Sequence, residues 1–123
     1  MTEYESALLG ASIQDPGVID RIDIGEELFP DPKARRLFAT IRDIHGAGQP
    51  VNFLTISDSL GSAMADVIGY EALTRLTDSP TAANAYFYVS RLRDGVTRRK
   101  LRELSANIEK WVQGKAEDAV ISS

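Results

Sequence analysis

The residues that could do chemistry are few. The chain of 123 residues has one histidine, His45, and no cysteine. Without thiols there is no disulfide and no thiolate metal site, which fits a reducing compartment. The only Gly-Lys pair, Gly114-Lys115, lacks the upstream glycine and the following hydroxyl of a phosphate-binding loop. No G-x-S-x-G elbow and no H-E-x-x-H motif occurs. His45 stands alone near the end of a helical pattern, where it suits the helix dipole or a partly buried position better than catalysis. These residues call for no catalytic group, no cofactor and no metal in this chain. The remaining chemistry is charge. Residues 91–102 hold six bases (Arg91, Arg93, Arg98, Arg99, Lys100, Arg102) and one acid, Asp94, whereas residues 1–31 hold eight acids and one base. Arg98, Arg99, Lys100 and Arg102 could contact nucleic-acid phosphates or a partner, or form a solvated helix face. The net charge of −4 and the lack of interleaved aromatics speak against a dedicated nucleic-acid module.

The elements that must carry these residues read as helices. Tyr4, Ala7, Leu8 and Ala11 repeat at helical spacing, Leu9 and Ile13 widen the face, Thr2 and Glu5 fit a capping box, and Asp15-Pro16-Gly17 closes the segment. Val18 and Ile22 suggest one more turn, and residues 23–32 read as a loop. Asp31 and Pro32 open the clearest helix. Its apolar face is Ala34, Leu37, Phe38, Ile41, Ile44 and His45, opposite Arg35, Arg36, Arg42 and Asp43. A short helix follows from about Leu54 to Leu60, capped by Asn52 and ended by Gly61; residues 62–69 are ambiguous. Tyr70, Leu73 and Leu76 mark another short helix, ended by Asp78-Ser79-Pro80. A last helix runs from about Ala82 to Gln113 and stops at Gly114. The fold class is all-α: a globular head of about five short helices plus one long C-terminal helix. No apolar run approaches the ~20 residues of a membrane span, and the acidic N-terminus is unlike a secretory signal, so a soluble cytoplasmic domain is expected.

The long helix has an irregular apolar pattern. Ala85, Val89, Leu92 and Val96 form one stripe; Leu101, Leu104, Ile108, Trp111 and Val112 form a second. The step of five between Val96 and Leu101 swings the stripe by more than a quarter turn near Gly95. A helix of about 48 Å exceeds what a domain of this size covers. Either a bend at Gly95 keeps both stripes on one core, or the second is covered by another helix or subunit. Tyr86, Phe87 and Tyr88 cannot share one face, so some are expected in the head and some, Tyr86 and Tyr88 foremost, at a contact.

Several segments together resemble one family. "YESALLGASIQDPGVIDRI" is similar to the first helix and turn, with its E-x-x-x-L-G run, of the N-terminal domain of bacterial replicative (DnaB-type) DNA helicases. "ELFPDPKARRLFATIRDIHGAGQPVNFLTISDSL" resembles its F-Y-D-P-x-H-x-x-I-F helix and G-x-P-V-D-x-x-T-V segment. "GYEALTRLTDSPTAANAYFYVSRLRD" resembles its G-G-x-x-Y-L-x-x-L helix and the P-S-A-A-N start of its long helix. The likeness spans about residues 4–112. It departs in an arginine for the histidine near position 35, in a lone Gly69 before Tyr70, and in Gly95 where a good helix former is usual. The resemblance implies a head (residues 1–95), the start of a helical hairpin (96–113), and a flexible tail or truncated linker (114–123), with "EDAVISS" as the first turn of the returning helix. It implies a non-catalytic collar domain that self-associates as a dimer, and as a trimer of dimers in the full-length hexamer. It also implies binding to the C-terminal domain of primase and contact with helicase loader proteins. ATP, Mg and the 5'-3' helicase activity would reside in a separate motor domain, with single-stranded DNA held by the full-length ring. The interface residues are then Tyr86, Tyr88, Leu101, Leu104, Ile108, Trp111 and Val112. A stand-alone helical adaptor or helicase-loading regulator of the same fold is the alternative.

Overall fold

A computed structural model of the chain describes the backbone of residues 1–78 and 82–122, and side chains of residues 1–78 and 83–117. Every regular element among them is helical: α1 (Glu3–Gln14), α2 (Val18–Arg21), α3 (Pro32–Gly46), α4 (Phe53–Leu60), α5 (Met64–Val67), α6 (Tyr70–Thr77) and α7 (Ala85–Ser122). Three 3-10 turns, Glu26–Leu28, Gly61–Ala63 and Ala82–Asn84, link them. The chain divides into two compact units, Met1–Arg93 and Asp94–Ser123.

The first unit is built round α1 and α3. Helix α1 packs on α3, α6 and the turn at 82–84, and α3 packs in addition on α4 and α5. Because α1 is covered on several sides, its second half is buried all round: Leu8, Leu9, Gly10, Ala11, Ser12 and Ile13. The face read from the sequence, widened by Leu9 and Ile13, leaves out Gly10 and Ser12, and Tyr4, placed on that face, is 39 % exposed. Ser12 survives in the core because its hydroxyl donates to the Leu8 carbonyl at 2.8 Å. Helix α3 buries Ala34, Leu37, Phe38, Ile41 and Ile44, as its periodicity requires. The segment read as a plain loop, residues 23–32, contributes core side chains: Ile24, Leu28 and Phe29 are buried, and the Phe29 ring lies 5.1 Å from that of Phe38. A 3-10 turn makes this possible by turning Leu28 inward.

Local signals fix the helix ends. Thr2 and Glu5 form the expected capping box, Asp31 accepts from the Lys33 N–H at 2.8 Å, and Asn52 caps α4 through Thr55. Gly61 ends α4 with φ +52, where a side chain would be strained. Residues 62–69 resolve into the 3-10 turn and α5, with Met64 and Val67 buried. Ser79, Pro80 and Thr81, read as stop and cap signals, lie outside the described residues.

The sequence reading of α7 needs correction at its C-terminal end. The helix does not stop at Gly114 but continues to Ser122, so residues 114–122 are helix rather than flexible tail, and "EDAVIS" extends α7 instead of opening a returning helix. A glycine inside a helix costs about 1 kcal/mol relative to alanine. Here good helix formers flank it, the Gln113 amide donates to Glu117 at 3.3 Å, and the Lys115 ammonium lies 5.8 Å over the Trp111 ring.

Candidate functional site

Within the second unit, the side chains of Leu101, Leu104, Ile108, Trp111 and Val112 are 52–64 % exposed. By contrast Ala85, Val89 and Leu92, three of the four residues of the first stripe of α7, are buried in the first unit, and the fourth, Val96, is half-buried. The rotation of the stripe read near Gly95 therefore marks a change from covered to uncovered apolar surface. Contiguous apolar surface on a helix marks an interaction face. Beside it, Arg98, Lys100 and Arg102 are exposed and Arg99 is half-buried along Gly95. The Arg98 Nε–H donates to the Asp94 carbonyl at 3.3 Å. Among the described residues none of the four bases enters an ion pair.

The first unit carries a second surface. A groove of about 750 Å³ runs between α1 and α6, with Tyr4, Ala7, Ile68, Ala72, Leu76 and Tyr88 among its lining and Glu3, Lys33 and Arg75 also bordering it. Tyr4, Phe87 and Tyr88 form a ring cluster with centroids 5.9–6.4 Å apart, and the Arg91 guanidinium lies 5.1 Å over Phe87. None of the three consecutive aromatics is buried: Tyr88 is half-buried in the groove, Phe87 stands against Tyr4, and Tyr86 is 70 % exposed. Val89 and Leu92 close the core in their place.

Asp31 joins both ends of this groove's frame. The N-terminal amine of Met1 lies 2.8 Å from its carboxylate. That hydrogen bond, then the Lys33 backbone N–H, holds the Asp31 carboxyl below its ordinary value, and the same bond to Asp31 raises the amine. Sequence reasoning saw Glu5 only as a cap. Its carboxylate is 1 % exposed and accepts from the Thr2 N–H at 2.9 Å and the Asp31 N–H at 3.1 Å, so it ties the start of α1 to the start of α3. The capping-box spacing hinted at half of this; the reach to Asp31, 26 residues away, left no local signal. His45 pairs with Asp20 at 3.2 Å, near the end of α3. Among the described residues no group of three or more His, Cys, Asp or Glu could hold a metal ion, and no helix is long and apolar enough to cross a membrane.

An all-helical first unit and a long helix with an exposed apolar stripe define the class of fold, and the comparisons name its family. The family model of the DnaB-like helicase N-terminal domain matches residues 1–94, and the chain belongs to that family. Among solved structures, the chain is similar to the N-terminal domain of DnaB helicase from Mycobacterium tuberculosis. The TM-score is 0.77 at 24 % identity, over 87 % of this chain and 81 % of that one. It is also similar to a DnaB-like replicative helicase described with its interactions with primase. There the TM-score is 0.76 at 24 % identity, over 91 % of this chain but 28 % of that one. The chain thus spans less than a third of that helicase's length. At these identities the likeness speaks for the fold. No curated protein matches the chain in sequence.

Proposed function

We propose that this chain is the non-catalytic collar domain of a hexameric replicative DNA helicase of the cytoplasm. It assembles subunits through the second stripe of α7 and receives the helical C-terminal domain of primase on the head. The observation that carries this is the run of five exposed apolar side chains, Leu101, Leu104, Ile108, Trp111 and Val112, on one side of a helix. Full burial of each would contribute roughly 1.5–3 kcal/mol before the costs of association. A pair of such helices from two copies has enough apolar surface for a dimer, and three dimers would complete a ring in the longer protein. The groove beside Tyr4 and Tyr88, with exposed Tyr86 close in sequence, offers a concave apolar floor with charged residues at its edge for primase or a loader. Nucleotide and Mg chemistry would belong to a separate motor domain; no phosphate-loop motif occurs in this sequence.

Sedimentation equilibrium of the wild-type chain and of Ile108→Asp tests the assembly part. A concentration-dependent dimer is expected for the wild type and a folded monomer for the variant. A wild-type chain that stays monomeric at high concentration, or a variant that still dimerises, overturns it. Titration with the primase C-terminal domain, comparing wild type with Tyr88→Ala, tests the groove; unchanged affinity in a folded variant would count against it.

A further inference from the structure

One aromatic patch on the first unit lies in a stretch without a strong base. Residues 46–74 hold three acids, Asp58, Asp66 and Glu71, and no lysine or arginine. The same stretch exposes two large apolar side chains, Leu54 at 70 % and Tyr70 at 60 %. The half-buried Phe53 ring connects them: Phe53 precedes Leu54 in α4, and its ring centroid lies 5.9 Å from that of Tyr70 in α6. Both helix starts are held in place. The Asn52 carboxamide oxygen accepts from the Thr55 N–H at 3.0 Å, and the Thr55 hydroxyl accepts from the Asn52 N–H at 3.0 Å. Gly69 takes φ +80 just before Tyr70, a conformation that favours glycine. Asp58 lies one helical turn beyond Leu54 on the same face, and Glu71 follows Tyr70. Phe53, Leu54, Asp58, Tyr70 and Glu71 do not line the groove between α1 and α6.

The molecule shows elsewhere what such a set of groups accepts. The Arg42 guanidinium lies 5.8 Å over the Phe38 ring and pairs with the Glu26 carboxylate. A ring face and a carboxylate together hold one guanidinium, by cation–π attraction and by charge-assisted hydrogen bonds. At Tyr70 the ring and the Glu71 carboxylate are both present, and among the described residues no cation lies over that ring. Among the same residues Asp58 enters no ion pair, and Glu71 meets only Arg75, at 3.8 Å. A pair between two such exposed side chains holds little. We propose that Phe53, Leu54 and Tyr70, with Asp58 and Glu71, form a docking surface for an arginine-bearing amphipathic helix of another protein. Its guanidinium stacks on Tyr70 and forks to Glu71, a neighbouring apolar side chain packs on Phe53 and Leu54, and a second base meets Asp58. Arginine is preferred to lysine because its flat, weakly hydrated group stacks on a ring while keeping its hydrogen bonds. The net charge of −4 draws a basic partner in and turns polyanions away.

The test is NMR of the isotope-labelled 123-residue chain, titrated with a synthetic amphipathic helix carrying arginine and leucine on one face. A lysine version and a glutamate version of that helix are the controls. Shift changes should concentrate at residues 53–58 and 70–71. The lysine helix should bind about threefold more weakly, and the glutamate helix should not bind. Glu71→Gln, which changes no packing, should weaken the arginine helix about threefold, and Tyr70→Ala with Glu71→Gln about tenfold. Tyr88→Ala should leave this binding unchanged, because the groove is a separate surface; this keeps the outcome apart from that of the primase reading. Equal binding of the lysine and arginine helices, shifts centred on Tyr4 and Tyr88, or unchanged affinity in Glu71→Gln would each overturn the proposal. A weakened dimer of Glu71→Gln in sedimentation would assign the patch to a second copy of this chain and overturn it as well.

Discussion

At the scale of single residues, Glu5 does the most unusual work. A buried carboxylate normally needs a partner charge; here two backbone N–H groups serve. Glu5→Ala strands the N–H groups of Thr2 and Asp31, and should cost about 1–3 kcal/mol, read as a lowered urea midpoint. Glu5→Gln should cost less, since its amide oxygen still accepts one bond. Asp31 links the same region to pH. Its carboxyl is held below its ordinary 3.8 by the N-terminal amine and the Lys33 N–H. A lowered carboxyl contributes stability that is present above the ordinary value and is lost as pH falls through the lowered one. Asp31→Asn keeps a good cap but removes that dependence. The difference in melting temperature between wild type and Asp31→Asn should be seen above pH 4 and shrink below it. Asp31 as a cap was legible, because Asp-Pro before a helical pattern is a local signal. Its partner amine was not, because nothing in residues 1–31 says which atoms meet.

Elements were legible to different depths. Helix α3 could be read residue by residue, since it packs on one side and its period shows. Helix α1 could be found, with Leu8, Leu9, Ala11 and Ile13 on its face, but not the burial of Gly10 and Ser12, because a helix covered on several sides has no single face. Residues 62–69 resisted reading because one-turn elements are shorter than the window that periodicity needs. In α7, Gly114 looked like a stop signal and is not one. An added Cβ at Gly114 meets nothing within 4 Å, and at Gly95 only the Arg99 side chain at 3.7 Å. Gly95→Ala and Gly114→Ala should therefore each stabilise the helix by about 0.5–1 kcal/mol. Far-UV circular dichroism and amide exchange along residues 94–117 would show it as more helix and slower exchange.

For the whole molecule, the proposed assembly rests on apolar burial along the second stripe of α7. Apolar association is nearly indifferent to sodium chloride, whereas attraction between exposed charges is screened by it. Raising salt from about 50 to about 200 mM should therefore leave the dimer constant within about twofold, read by sedimentation equilibrium in the two buffers. A dimer that weakens steeply with salt would mean that charges and not the stripe hold it.

The sequence by itself determined the all-α class, the caps that start α1, α3 and α4, and the order of segments that marks the family. It also determined that the apolar stripe turns near Gly95, because period and capping are properties of neighbours along the chain. Only the tertiary structure decided which apolar residues are covered. It buried Val89 and Leu92 while leaving Tyr86 outside, drew Ile24, Leu28 and Phe29 into the core, and brought Glu5 to Asp31. Burial and long-range hydrogen bonds depend on what other elements occupy the space around a residue, and no local pattern records that.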